Sequence, residues 1–152
     1  MNNNFEVFAP VSENDFKEYY RLRWEVLRKP WKQPEGSEKD ELDSKAIHAM
    51  IKDEKGTALA VGRLHFNNSS EAQVRYMAVS ENLRSKGLGQ KILAYLEKKA
   101  TAGGAVCIVL QARDNAVDFY KKNGYEIIDK SFIMYDEIQH YKMQKELNRE
   151  QH

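Results

Sequence analysis

The residues with the most chemical potential lie in one short loop, Arg84-Ser85-Lys86-Gly87-Leu88-Gly89, followed by Gln90. It succeeds the apolar stretch ending in Met77-Ala78-Val79 and precedes a stretch with helical periodicity, so it joins a strand to a helix. The first N–H groups of a helix lack internal partners and its dipole favours negative charge there, which makes such a junction a ready anion site. Gly87 and Gly89 would let the backbone approach a pyrophosphate that a Cβ would obstruct, and Arg84 and Lys86 add positive charge. Two phosphate-binding patterns are excluded by spacing. A dinucleotide fingerprint needs a third glycine where this chain has Ile92, and the Gly-x-x-x-x-Gly-Lys pattern of a nucleotide P-loop is absent. By itself the loop also fits a glycine-adapted turn with surface charges.

The other reactive side chains are scattered. Glu38, Asp40, His65, Glu71 and His140 are all candidates for a general base, and none has a decisive position. His48, His65, His140 and His152 have no ligand spacing and the chain has one cysteine, so no metal site is expected. Cys107 sits inside an apolar run and reads as a small core residue rather than a nucleophile.

The elements that must position these groups follow from periodicity. Phe5, Val7 and Ala9 alternate with polar neighbours and predict a first strand. Ser12 can cap a helix, with Asp15 three residues later, and Phe16, Tyr20, Trp24 and Leu27 recur at helical spacing until Pro30. Arg23, Trp24, Arg28 and Trp31 could line an acceptor pocket ahead of the acidic loop, but an amphipathic helix with solvated arginines is the more common case. Residues 31–43 hold one proline and one glycine among many charges, a loop or broken short helix long enough to cover a substrate. Strands are expected over 47–52, 58–66 and 72–79, an antiparallel meander. The period then changes: Leu88, Ile92, Leu96 and Ala100 form a helical stripe ending before Gly103-Gly104. Ala105 to Leu110 reads as a strand buried on both faces, and a short helix over 114–123 ends at Gly124. Strands around 125–134 and 138–147 complete an α/β fold with a mixed sheet.

Composition narrows the class. The 152 residues suit a single domain, with 41% hydrophobic and 31% charged residues. Twenty-four Lys and Arg balance 23 Asp and Glu, so nothing draws the chain in bulk to nucleic acid or to a membrane surface. No apolar run approaches the ~20 residues of a membrane span. A single cysteine and no signal-like amino terminus make the cytoplasm the expected location.

Three segments in order resemble the GNAT superfamily of acyl-CoA-dependent N-acyltransferases. They are the strand-loop-helix from Val74 to Leu93, the apolar strand Ala105 to Leu110, and Asn115-Ala116-Val117-Asp118-Phe119-Tyr120-Lys121-Lys122-Asn123-Gly124-Tyr125. The last is similar to that family's Asn-x-x-Ala-x-x-Phe-Tyr-x-x-x-Gly-Phe signature, with the alanine one position early. The resemblance implies a GNAT-like mixed, mostly antiparallel sheet of about seven strands, helices on both faces, and a fourth and fifth strand that splay apart. It also implies acetyl-CoA as co-substrate. Main-chain groups of Met77, Ala78 and Val79 would pair with the pantetheine arm, and amides of Arg84, Ser85, Lys86, Gly87, Leu88, Gly89 and Gln90 would hold the pyrophosphate. Asn115 would bond the cofactor arm, and Tyr120 would stand beside the thioester sulfur as the candidate acid for the leaving thiolate, although it also fits as a core aromatic beside Phe119.

A second stretch, Tyr19 to Asp43, resembles the acetyltransferase-like domain that precedes a hotdog thioesterase-like domain in some bacterial proteins, although the chain leaves no room for such a partner. Ile138-Gln139-His140-Tyr141-Lys142-Met143 is similar to superfamily members with a His-x-x-Met final strand. The expected activity is transfer of an acetyl group to a small-molecule amine or a protein amine, with a homodimer as an open expectation. Two other functions fit the same residues: a non-catalytic acyl-CoA-binding module, and acyl transfer or decarboxylation on an acyl carrier protein.

Overall fold

The computed structural model describes residues 5–135 and 137–147. Helix α1 (Glu13–Leu27) begins at a complete capping box: the Ser12 hydroxyl accepts from the Asp15 N–H, and the Asp15 carboxylate accepts from the Ser12 N–H. Strands β1 (Ile47–Lys52), β2 (Ala58–Phe66) and β3 (Glu71–Val79) form the antiparallel meander. Helix α2 (Leu88–Ala102) leads to β4 (Cys107–Arg113), and α3 (Val117–Lys122) leads to the hairpin β5 (Glu126–Met134) and β6 (Ile138–Glu146). The sheet order is β1-β2-β3-β4-β6-β5, with β3 and β4 the one parallel pair.

The fold is the mixed, mostly antiparallel α/β sheet that the sequence implies, with small differences. The expected first strand over Phe5 to Ala9 contracts to one bridge, Phe8 to Met50, which leaves six strands. The strand expected at Ala105 starts at Cys107 and runs on to Arg113, and Val106 is exposed rather than buried. Both glycine stops hold. At the end of α2, Ala105 N–H donates to the Ala100 carbonyl and Gly104 N–H to that of Thr101; at the end of α3, Tyr125 N–H and Gly124 N–H do the same with Tyr120 and Lys121. Gly104 and Gly124 take the positive φ values that this paired closure needs, +98° and +96°.

Two apolar layers cover the two faces of the sheet. On one, Leu88, Ile92, Leu93 and Leu96 of α2 pack on Ala49, Ile51, Ala60 and Leu64. On the other, Tyr19 and Leu22 of α1 pack on Met50, Val61 and Ala78. Each of the Leu, Ile, Val and Met side chains buried in this way contributes about 1.5–3 kcal/mol. The buried face of α1 is not the stripe its apolar spacing suggests: Phe16, Tyr20, Trp24 and Leu27 flank it half-buried, while Arg23 lies at its centre, fully buried.

The feature that shapes the site is a bulge in β3. Val61 pairs with Ala78 and Arg63 with Arg75, so Tyr76 and Met77 together face the single residue Gly62. Tyr76 adopts φ +59°, a left-handed conformation uncommon for a bulky residue. Gly62 is required here, since a Cβ would come within 2.6 Å of Ile92 Cγ2 and 2.7 Å of Met77 Sδ. Gly62→Ala is expected to destabilise the protein by about 1–3 kcal/mol through overpacking, read as a lower midpoint in denaturant unfolding. An unchanged midpoint would mean that Met77 gives way freely.

Among the described residues no helix is long and apolar enough to cross a membrane, and no group of three or more His, Cys, Asp or Glu side chains has metal-holding geometry.

Candidate active site

Strands β3 and β4 pair over three residues only, Glu71 to Gln73 with Cys107 to Val109. Beyond that point β3 runs to Val79 and β4 to Arg113 without pairing each other, while β4 stays paired to β6 along its length. The gap opens into a groove of about 1420 Å³. Its walls include Met77, Ala78 and Val79 on one side and Arg113, Asn115 and Tyr120 on the other. Arg84, Ser85, Gly87, Leu88, Gly89 and Gln90 line it as well. Of the residues expected to hold a cofactor, Lys86 alone is not on this wall; it is exposed.

The loop end of the groove is electropositive by construction. Gly87 is the N-cap of α2 with φ +83°, no side chain caps the helix, and its first turn has no acidic residue. The first helical backbone bond runs from Lys91 to Gly87, so the N–H groups of Leu88, Gly89 and Gln90 precede the ladder. Helix α1, by contrast, starts with a capping box that occupies its first N–H groups. A Cβ on Gly87 would meet nothing within 4 Å, whereas one on Gly89 would press on the Phe119 ring at 3.3 Å. Gly87 thus keeps open space at the helix mouth, and Gly89 lets α2 and α3 approach. These amides fit a pyrophosphate, and the unpaired edges of β3 and β4 fit an extended amide-bearing arm.

Tyr120 is 7% exposed, held edge-on between Phe119 and Tyr125 at 5.0 and 5.7 Å. Burial pushes its phenol above the ordinary value, so it stays protonated across the working pH range. Among the described residues its hydroxyl has no hydrogen-bond partner, in contrast to Tyr125, whose hydroxyl donates to Glu97 at 2.8 Å.

The structure separates the five candidate bases. Glu71 lies at the start of β3, in the paired region, and accepts from Asn67. Glu38 is buried and accepts the Gly36 N–H at 2.7 Å. Asp40 accepts from Arg63 at 2.6 Å and from Arg75 at 3.1 Å. Burial would raise the Asp40 carboxyl, but the Arg63 hydrogen bond and charge outweigh it and hold it below the ordinary value. His65 lies between Arg63 and Asn67.

His140 differs. It is the register partner of Arg113, so both side chains leave the same face at the end where the sheet opens. Its Nδ1 is 3.0 Å from the Ile138 carbonyl oxygen, which assigns the proton to Nδ1 and the lone pair to Nε2. Phe132 stacks on the ring at 4.2 Å. Burial, with the Arg113 charge adding to it, lowers the imidazole pKa, and the Ile138 carbonyl and Asp114 only partly oppose this. The ring is therefore neutral at pH 7.

Beside this site lies a cluster that the sequence did not announce. Arg23 and Arg28, expected in solvent, are 0% and 6% exposed. Arg23 bonds Asp43, the Glu38 carbonyl and the Tyr19 hydroxyl, and Arg63 bonds Asp40 and Asp43. The guanidinium groups of Arg23, Arg28, Arg63 and Arg75 surround the Tyr76 ring at 4.2, 5.7, 4.9 and 4.5 Å. The physical reason for the correction is the loop after α1. Its Asp40 and Asp43 return to the sheet and supply the charges that make burial of Arg23 and Arg63 tolerable. The loop is consequently pinned over the bulge.

A sheet opened between β3 and β4, with an anion-binding helix start at the mouth of the gap, is the framework of an acyltransferase. The chain matches the acetyltransferase (GNAT) family over residues 16–125, and it belongs to that family of acyl-CoA-dependent N-acetyltransferases. It is 31% identical over 135 residues to the uncharacterized N-acetyltransferase YjcF of Bacillus subtilis (strain 168), covering 89% of this chain and 95% of that protein. Two solved structures share the fold. An acyl-CoA N-acyltransferase from Pseudomonas aeruginosa superposes with a TM-score of 0.77 at 21% identity, over 93% of this chain and 98% of the other. An aminoglycoside 6'-N-acetyltransferase complexed with coenzyme A superposes with a TM-score of 0.75 at 14% identity, over 96% and 99%.

Proposed function

We propose that this chain transfers an acetyl group from acetyl-CoA to a primary amine by direct attack within the β3–β4 gap. One observation carries the reading: the backbone edge of Met77–Val79, the open amides of Leu88 to Gln90, and the side chains of Asn115 and Tyr120 face one continuous groove. In the proposed reaction the neutral amine nitrogen adds to the thioester carbonyl carbon. A backbone N–H at the bulge, near Met77 or Ala78, stabilises the oxyanion. The carbon–sulfur bond then breaks with its electron pair on sulfur. The proton released by the amine passes by way of water to His140, which is buried and does not itself line the groove, and the Tyr120 hydroxyl gives its proton to the thiolate; exchange with solvent resets both groups.

The acid role is a modest one. At ordinary values a phenol near ~10 donating to a thiolate near ~8.5 costs about 2 kcal/mol, and burial of Tyr120 raises that cost. A thiolate also leaves without help. Tyr120→Phe is thus expected to slow turnover about tenfold without abolishing it, measured as kcat with CoA affinity unchanged. Complete loss in a folded, CoA-binding variant would contradict this assignment.

The reading as a whole is tested by free-thiol release from acetyl-CoA across polyamines, amino acids, aminoglycosides and peptides. Stimulation by an amine above hydrolysis is the expected result. CoA binding with no stimulated release by any acceptor would instead favour a binding module.

A further inference from the structure

The end of the groove opposite the α2 loop is lined by Leu27, Pro30, Trp31 and Arg113. Arg113 and Arg28 each donate to the same acceptor there, the Leu27 carbonyl oxygen, both at 3.1 Å. Two guanidinium groups therefore converge on one point. Arg113 also lies over the Trp31 ring at 4.6 Å, and Trp31 stacks on Tyr135 at 6.1 Å. These aromatic contacts hold the guanidinium plane without neutralising it.

What these two arginines lack sets them apart. Arg21, Arg23, Arg63 and Arg75 all have carboxylate partners. Among the described residues, Arg28, Arg84 and Arg113 have none, and Arg84 is exposed to water. Arg28 is almost fully buried and Arg113 half-buried. Burial first, and the Arg28 charge second, depress the Arg113 pKa, so the pair is held together against its own repulsion. An anion in the groove that accepts from the Arg113 fork would stabilise this pair, since Arg28 behind it is already bonded to the Ser37 and Leu27 carbonyls. The phosphates of the donor have their own amides at the loop end, while Arg113 stands two residues before Asn115, on the face shared with His140.

We propose that Arg113, which lines the groove with the buried Arg28 charge behind it, binds there the anionic group, carboxylate or phosphate, of the acceptor amine. The proposal rests on the N-acetyltransferase reading and names its substrate class: an amine that carries its own negative charge, with Trp31, backed by Tyr135, against its carbon skeleton. Arg113 is then a specificity residue.

Matched pairs test it: amino acids against their amides, and phosphoethanolamine against ethanolamine, in the thiol-release assay. The wild type is expected to favour one or both anionic members by at least about tenfold in kcat/KM; Arg113→Gln should erase that preference and Arg113→Lys restore part of it. Equal use of charged and neutral partners by the wild type, or a preference that survives R113Q, overturns the proposal. A binding arm separates this failure from failure of the enzymatic reading. Acetate and inorganic phosphate are titrated against wild type and R113Q while Trp31 fluorescence is followed, with CoA affinity measured alongside. Saturable binding of either anion to the wild type and not to R113Q supports the site even if no amine is acetylated; no binding to the wild type overturns it. Asp136, next to Tyr135 in sequence, lies outside the described residues. Anion binding that appears only on Asp136→Asn would show an internal pair and also overturn it.

Discussion

Replacing Gly87 by valine is expected to raise the dissociation constant for CoA about a hundredfold, which corresponds to about 2.7 kcal/mol. Two effects act together. A β-branched residue resists the φ of +83° that Gly87 adopts as N-cap, so the first turn of α2 shifts and its amides lose their aim. The new side chain also fills the open space at the helix mouth, where no protein atom comes within 4 Å of a Cβ position. Charge-assisted hydrogen bonds to phosphate are each worth about 1.5–3 kcal/mol, so loss of one or two accounts for the effect. Calorimetric titration with CoA gives the affinity, and denaturant unfolding checks that the fold persists. An unaltered affinity in a folded variant would remove the loop from the donor site and would undercut the proposed function with it.

The second large effect concerns His140. His140→Gln is expected to lower kcat/KM at neutral pH by about 10²–10⁴, the span typical of a general base. The pH profile carries the sharper test. The imidazole pKa is lowered from its ordinary value near ~6.5, so the base is active above that lowered pKa and activity falls as pH drops through it. H140Q should erase this acid limb, leaving only the titration of the amine itself. Arg113→Gln removes a positive neighbour and should move the limb upward. A limb that stays in place in both variants would assign the base elsewhere.

Much of this architecture is legible in the chain because it is governed by near neighbours. The Ser12–Asp15 capping box, the Leu88-Ile92-Leu96-Ala100 stripe, and the closures at Gly104 and Gly124 depend on residues within a few positions of one another. The α2 loop belongs to the same class, since an uncapped helix start with two glycines is a local property. Even the likeness of residues 115–125 to a family signature is a statement about one short helix and its cap.

Other features depended on contacts between distant segments. Arg23 and Arg28 have the helical spacing of surface residues, and nothing beside them announces that Asp40 and Asp43 will come back to the sheet. Arg113 reads as the polar end of a strand; its meeting with Arg28 joins residues 85 positions apart through the Leu27 carbonyl, itself 86 positions from Arg113. The five candidate bases were equivalent on paper, and the register of β4 with β6 sets His140 opposite Arg113, a groove-lining residue, though His140 itself does not line the groove.

The sequence by itself determined that a glycine-bearing helix start follows a buried strand, while the acyl-CoA donor came from the resemblance of residues 74–93, 105–110 and 115–125 to one family. Local backbone preference and the lack of a capping side chain decide the first of these. Only the tertiary structure decided what faces the donor: a sheet that parts after three residue pairs, a bulge at Tyr76 and Met77, and guanidinium groups carried inward. The reason is physical. A buried charge or an unpaired strand edge is tolerable only where distant residues compensate it, and such compensation exists only once the chain has folded.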